Sequence, residues 1–270
     1  MESQATLGIG PGAVKGAPGF GGESVSDQPA RPARVGFWPT CMADLASPGP
    51  ALAALDVLRA MGFDPVVPAD AGCCGQPAFN TGQPRAAAPV LRHTVGAFEG
   101  CDAIVTVAGS CAAMVAHNGP ALVPAASGFV RRMWEFTQFV AAFGAGLPLH
   151  LDATVTYHDG CHMTRVLGER TTPRELLSRI DGLRVVEMVD PDGCCGFGGT
   201  FAVKFPELSA AMADVKLDHA AATEVDWIVS ADPGCLVHLS GRAGATGRAL
   251  PTRHIAEIVR DALVPAGVTA

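Results

Sequence analysis

Nine cysteines punctuate this 270-residue chain, and eight of them fall into two matching sets. Cys41, the adjacent pair Cys73-Cys74 and Cys111 are echoed by Cys161, the pair Cys194-Cys195 and Cys235, at offsets of 120, 121 and 124 residues. The words around them repeat as well. Gly72-Cys73-Cys74-Gly75 matches Gly193-Cys194-Cys195-Gly196, and Gly109-Ser110-Cys111 parallels Pro233-Gly234-Cys235. Features matched at nearly one offset mark an internal repeat. Four thiolates in one place repel one another unless a cation neutralises them, so each set is a candidate metal site, with iron–sulfur and zinc as the alternatives. Adjacent cysteines favour iron–sulfur, because consecutive thiolates reach different atoms of a multi-iron cluster more readily than they share one tetrahedral ion. The flanking glycines let the backbone come close and offer N–H donors to sulfur. Cys101 has no counterpart and reads as a small apolar core residue.

Bringing such distant thiols together requires a scaffold. Short β-branched or aromatic runs predict strands at 35–38, 65–67, 104–107, 154–157, 185–189 and 227–229. Helical patterns cover 51–61, 85–98, 130–143, 174–179, 207–222 and 254–263. Strands alternating with helices predict an α/β fold with mainly parallel sheets. Each cysteine element follows the end of a predicted strand, and in an open parallel sheet the loops at the strand carboxyl ends gather along one edge. The expected architecture is two tandem pseudo-symmetric α/β modules, 34–148 and 149–270, joined near residues 144–152. Residues 1–33 are rich in Gly and Pro without hydrophobic periodicity and read as a disordered tail.

Composition narrows the function. Hydrophobic residues make up 49% of the chain and charged residues 17%, enough apolar material for a sizeable core. The formal net charge is −7 and no basic cluster extends beyond Arg131-Arg132, which argues against a nucleic-acid partner. The longest uncharged apolar stretch, 136–151, is broken by Gly144, Gly146 and Pro148, so no membrane span is expected. With no secretory signal visible, the expected location is the cytoplasm, where cysteines serve metals or catalysis more often than disulfides. Gly8-Ile9-Gly10-Pro11-Gly12 follows no strand, and Gly196-Phe197-Gly198-Gly199 has Phe201 where a dinucleotide fingerprint needs glycine. No G-x-S-x-G elbow is present. His158 and His162 flank Cys161 with H-x-x-x-H spacing, but Asp159 stands where a zincin has Glu. These histidines either support the cysteine loop and donate N–H to sulfur or simply pack beside it, with direct ligation as the remaining alternative. Arg165 and Lys204 follow the second set of loops and are candidates to offset the negative charge of a cluster, although most charges so placed are simply solvated.

The runs Cys-x31-Cys-Cys-x33-Ala-x-x-Cys (Cys41 to Cys111) and Cys-x32-Cys-Cys-x36-Asp-x-x-Cys (Cys161 to Cys235) resemble the twofold cysteine-rich CCG domain. That domain occurs in a subunit of heterodisulfide reductase and in the iron–sulfur subunits of glycolate oxidase and anaerobic glycerol-3-phosphate dehydrogenase. Tyr157-His158-Asp159-Gly160-Cys161-His162 and the run from Cys194 to Phe201 are similar to its stand-alone form, the lactate utilisation A family. The likeness covers about residues 34–263. It implies a 4Fe-4S or related iron–sulfur cluster on the eight paired cysteines. It also implies an electron-transfer subunit of a cytoplasmic L-lactate oxidation system, working beside lactate utilisation B and C type proteins. A zinc-stabilised scaffold and a thiol–disulfide oxidoreductase are the alternatives. The chain departs from the family at Ala108 and Asp232, where the fuller pattern has a fifth cysteine. Four cysteines per module still suffice for a cluster, but the departure counts against the five-cysteine double cluster and its disulfide-cleaving chemistry.

Overall fold

A computed structural model describes residues 29–248 and 250–264; the expected tail falls, up to residue 28, outside the described residues. The chain opens on β1 (Val35–Trp38), a strand buried along its whole length, as expected where helices cover both faces of a parallel sheet. Helices α1 (Thr40–Leu45), α2 (Gly49–Ala60), α3 (Gln76–Asn80) and α4 (Pro84–Ala97) lead to β2 (Ala103–Thr106). Then come α5 (Gly109–Leu122), α6 (Ala126–Val130), β3 (Met133–Glu135) and α7 (Phe136–Phe143). The three strands pair in parallel in the order β1-β2-β3. Val66 adds one parallel bridge on the outer side of β1. The predicted strand at 65–67 is therefore reduced to one bridged residue, since Pro65 and Pro68 on either side of it offer no N–H to a ladder.

The second half repeats this plan. It runs β4 (His150–Tyr157), α8 (Cys161–Arg165), α9 (Thr171–Ser178), β5 (Asp181–Val185), α10 (Thr200–Lys204), α11 (Pro206–Ala221), β6 (Trp227–Ser230), α12 (Pro233–Thr246), β7 (Thr252–His254) and α13 (Ile255–Asp261). Its sheet is parallel in the order β5-β4-β6-β7, the order of Val66, β1, β2 and β3 in the first half. The predicted strand at 185–189 lies four residues early, at 181–185, because β4 itself begins at His150 and pairs there with Asp181. The apolar residues beyond Val185 go into packing, with Met188 buried against Leu217 and Ala213 of α11.

The predicted helix at 130–143 is interrupted by β3. Met133 and Trp134 are buried strand residues, so the apolar run gives no sign of the break. Glu135 then starts α7 by accepting the Thr137 N–H while Gln138 reaches back to its own N–H, a capping box. His254 and Glu257 make the same box at the β7–α13 junction. One continuous core runs beneath both halves, with α13 packed on α2 and α7 on α9. Cys101 is buried in it. No helix among the described residues is long and apolar enough to cross a membrane.

Candidate metal centre

Each thiol is placed by the end of a parallel strand. Cys41 is the second residue of α1, directly after β1, and is turned into place by Thr40, whose φ of 68° is rare for a β-branched residue. Cys111 and Cys235 are the third residues of α5 and α12, and Cys161 opens α8. Cys73-Cys74 and Cys194-Cys195 occupy the loops after Val66 and β5. All eight line a single cavity of about 150 Å³, together with Gln76, His162, Phe197 and Asp232. Sequence spacing assigns each module its own thiol edge; the structure turns the two edges toward one another.

The paired-cysteine loops are built alike. The Gly75 N–H donates to Cys73 Sγ and the Gly196 N–H to Cys194 Sγ, both at 3.4 Å. Both glycines have positive φ, +82° and +89°, and a Cβ on Gly196 would lie 2.4 Å from the Ser209 carbonyl oxygen. Gly196→Ala is therefore expected to cost about 1–3 kcal/mol in backbone strain with a steric clash added, and to lose metal from the second half. Gly247 also has positive φ, but no described residue would lie within 4 Å of a Cβ there. Gly247→Ala should cost only about 1–2 kcal/mol and leave metal content unchanged. Thermal unfolding and metal analysis of the two variants check this.

The thiols do not ionise evenly. Cys73 is drawn down to about 3, first by the Cys41 thiol 3.7 Å away, then by Cys74 and the Gly75 N–H. Cys194 is drawn down to about 2 by Cys161, Cys195 and the Gly196 N–H. Their neighbours are held up: Cys41 by its bond to Cys73 and by burial, Cys161 by Cys194 and burial. Cys74 is raised by Cys111 and Cys73, and Cys195 by Cys194 and Cys235. Cys235 is also drawn down, by Cys195 and then, against the pull of burial, by His158. Cys73 and Cys194 thus lose a proton readily, while burial and neighbouring sulfurs hold back Cys41, Cys74, Cys161 and Cys195 when no cation is present. Such a set of thiols is a donor set for a metal ion or cluster.

The other sequence-selected residues divide. His162 lies on the cavity wall. Its Nε2 is 3.1 Å from the Gln76 amide nitrogen, across the two halves, and its Nδ1 is 3.5 Å from Cys161 Sγ. His158 is fully buried and is not on the cavity wall, but one of its ring nitrogens and the Cys195 and Cys235 sulfurs all lie within 4.8 Å of one another. Arg165 and Lys204 are exposed and absent from the cavity wall. Arg165 donates to the Asp192 carbonyl instead.

Three residues that sequence reasoning left without a role hold the site together. Arg174 makes two 2.9 Å bonds to the buried Asp159 carboxylate and further bonds to Glu187, tying the loop before Cys161 to α9. Asp232 caps α12 by accepting from Gly234 N–H at 3.0 Å and Cys235 N–H at 3.4 Å. Its other oxygen accepts the Ser110 N–H of α5 at 2.8 Å. One carboxylate therefore serves the starts of two cysteine-bearing helices, α5 and α12, its oxygens taken up by N–H donors. His254 accepts the Ala256 N–H at Nδ1, which leaves Nε2–H to donate to the Val107 carbonyl of the first half at 2.9 Å.

Two stretches, residues 35–116 and 155–240, match the profile of the cysteine-rich domain CCG. The protein named lactate utilization protein A in Bacillus thuringiensis (strain Al Hakam) is 38% identical over 240 residues, covering 84% of this chain and 99% of its own. A Bacillus cereus protein of the same name, and lactate utilization protein A 1 of Bacillus anthracis, match to the same extent. A hypothetical protein of Helicobacter pylori shares the fold, with a TM-score of 0.60 over 93% of this chain and 52% of that one, at 12% identity. The profile matches once in each half, and each match spans one of the thiol sets that meet in the cavity: the chain belongs to the CCG cysteine-rich domain family.

Proposed function

We propose that this chain is the iron–sulfur electron-transfer subunit of a cytoplasmic lactate-oxidising system. In this reading it is built of modules 34–148 and 149–270 and acts with partners of the lactate utilisation B and C type. The observation that carries the reading is the convergence of all eight paired cysteines on one cavity. The relatives' name supplies the substrate.

The residues present suit such a centre. Cys41, Cys73, Cys74 and Cys111 would hold one, and Cys161, Cys194, Cys195 and Cys235 the other. The Gly75 and Gly196 N–H groups aim at sulfur, as tuning of a thiolate-bound cluster requires. An iron–sulfur centre supplies one-electron steps when bound. The chain's part is to fix the thiolates, to cover them with the apolar surfaces of Phe197, Met42 and Pro77, and to keep His162 against Cys161. Two sulfur groups sharing one cavity suit a relay in which charge passes between halves without leaving the protein.

Anaerobic reconstitution followed by iron, sulfide and zinc analysis tests the reading. Broad visible absorbance with iron and sulfide in both halves is expected, and zinc alone would overturn it in favour of a scaffold. The same preparation should not oxidise lactate unaided. Removing two electrons and two protons from a 2-hydroxy acid calls for a base paired with an acceptor such as a flavin or nicotinamide, and the sequence carries no intact fingerprint for either. Lactate-dependent dye reduction should appear only when the partner proteins are added.

A further inference from the structure

We propose that His158 is a ligand of the metal centre in the second half, so that the two centres of one chain have different donor sets. The proposal rests on the reading of the eight cysteines as ligands. His158 sits at the end of β4 with its backbone pinned: its N–H donates to the Val229 carbonyl at 2.8 Å, and its carbonyl accepts the Ser230 hydroxyl at 2.9 Å. The ring is fully buried, and among the described residues neither nitrogen has a hydrogen-bond partner other than the Cys235 sulfur, so at least one nitrogen is left without any. A buried polar atom left in that state costs about 1–3 kcal/mol. Yet a ring nitrogen lies within 4.8 Å of both the Cys195 and Cys235 sulfurs, which come from different elements and converge on it. A neutral imidazole is a good ligand for the metals that thiolates also hold.

The first half makes the contrast. Three residues before Cys41, where His158 precedes Cys161, stands Trp38. Its indole N–H donates to the Gly72 carbonyl at 2.9 Å and is satisfied. The repeat thus places a donor-only side chain, already paired with a carbonyl, in one half and a potential ligand facing sulfur in the other. His162 is no rival, because its nitrogens already face Gln76 and Cys161. An uncharged imidazole among the thiolates makes the second centre easier to reduce, just as histidine ligation raises the potential of two-iron centres. An electron shared between the halves would rest on the second.

The test uses the full chain reconstituted with iron and sulfide, with its histidines labelled with nitrogen-15, and pulsed electron paramagnetic resonance of the reduced state. A directly coupled histidine nitrogen is expected in the wild type, and in Cys73→Ser, which lacks the first centre. It should be lost in His158→Cys and His158→Gln, and the midpoint of the second centre should fall in His158→Cys. A second-half cluster signal with no histidine coupling, or coupling that persists in both variants, overturns the proposal. The wild-type spectrum decides even if a variant misfolds. If the chain takes zinc instead, the iron–sulfur reading fails, and zinc-edge X-ray absorption judges His158 separately. A mixed sulfur and imidazole shell supports ligation, and a sulfur-only shell overturns it. A chain that binds neither metal overturns both.

Discussion

Cys73→Ser and Cys194→Ser should each remove about half of the bound iron, and the double variant nearly all of it. Hydroxyl oxygen is a far poorer partner than thiolate for soft iron–sulfur centres. These two positions are also the most readily ionised of their sets, each accepting an N–H from the glycine two residues on. Cys101→Ser is the control. Its thiol packs in the core against the backbone of Gly36, so the substitution should lower stability by about 1–3 kcal/mol through an unpaired buried hydroxyl and leave iron unchanged. Iron and sulfide per chain, measured after anaerobic reconstitution, separate the three. Iron loss in Cys101→Ser equal to that in the other two would mean that the ligand set is wrong.

The second large effect is expected at a residue that need touch no metal. Asp232→Ala removes the cap of α12 and leaves the Ser110 N–H of α5 without its partner. A lost cap costs about 1 kcal/mol and an orphaned buried donor about 1–3 kcal/mol, so the metal-free chain should lose about 2–4 kcal/mol. Asp232→Asn keeps one acceptor oxygen and should lose less than half as much. Urea denaturation in the presence of chelator gives the comparison without the contribution of bound metal. An Asp232→Ala chain as stable as the wild type would show that the carboxylate does not hold the helices together.

The thiol sets were legible in the sequence because cysteine spacing survives whatever surrounds it, and the strand that feeds Cys41 was visible as a buried apolar run. Short strands embedded in longer apolar stretches were not. Met133–Glu135 reads as part of a helix until pairing with β2 claims it. Arg165 and Lys204 illustrate the opposite limit: they follow the cysteine loops in sequence, yet the short helices α8 and α10 carry them out to solvent. Asp232 was visible only as a departure from a cysteine pattern. Its role depends on an N–H 122 residues away, and no local pattern encodes such a partner. In the sequence His158 stands out through its nearness to Cys161, whereas the sulfurs beside it in the fold are those of Cys195 and Cys235.

The single carboxylate between α5 and α12 also says something about why the halves share one polypeptide. In a pair of identical subunits, every side chain at the symmetry axis occurs twice. Asp at this place in both copies would set two buried carboxylates side by side with too few donors between them, and Ala in both would leave the helix starts uncapped. Joining the copies end to end lifts that constraint. Ala108 and Asp232 can then differ, and one acid serves two helices. The same freedom lets Trp38 and His158 diverge. A covalent link therefore gives this fold what a homodimer is denied: two nearly equal thiol sets, facing one cavity, that need not be alike.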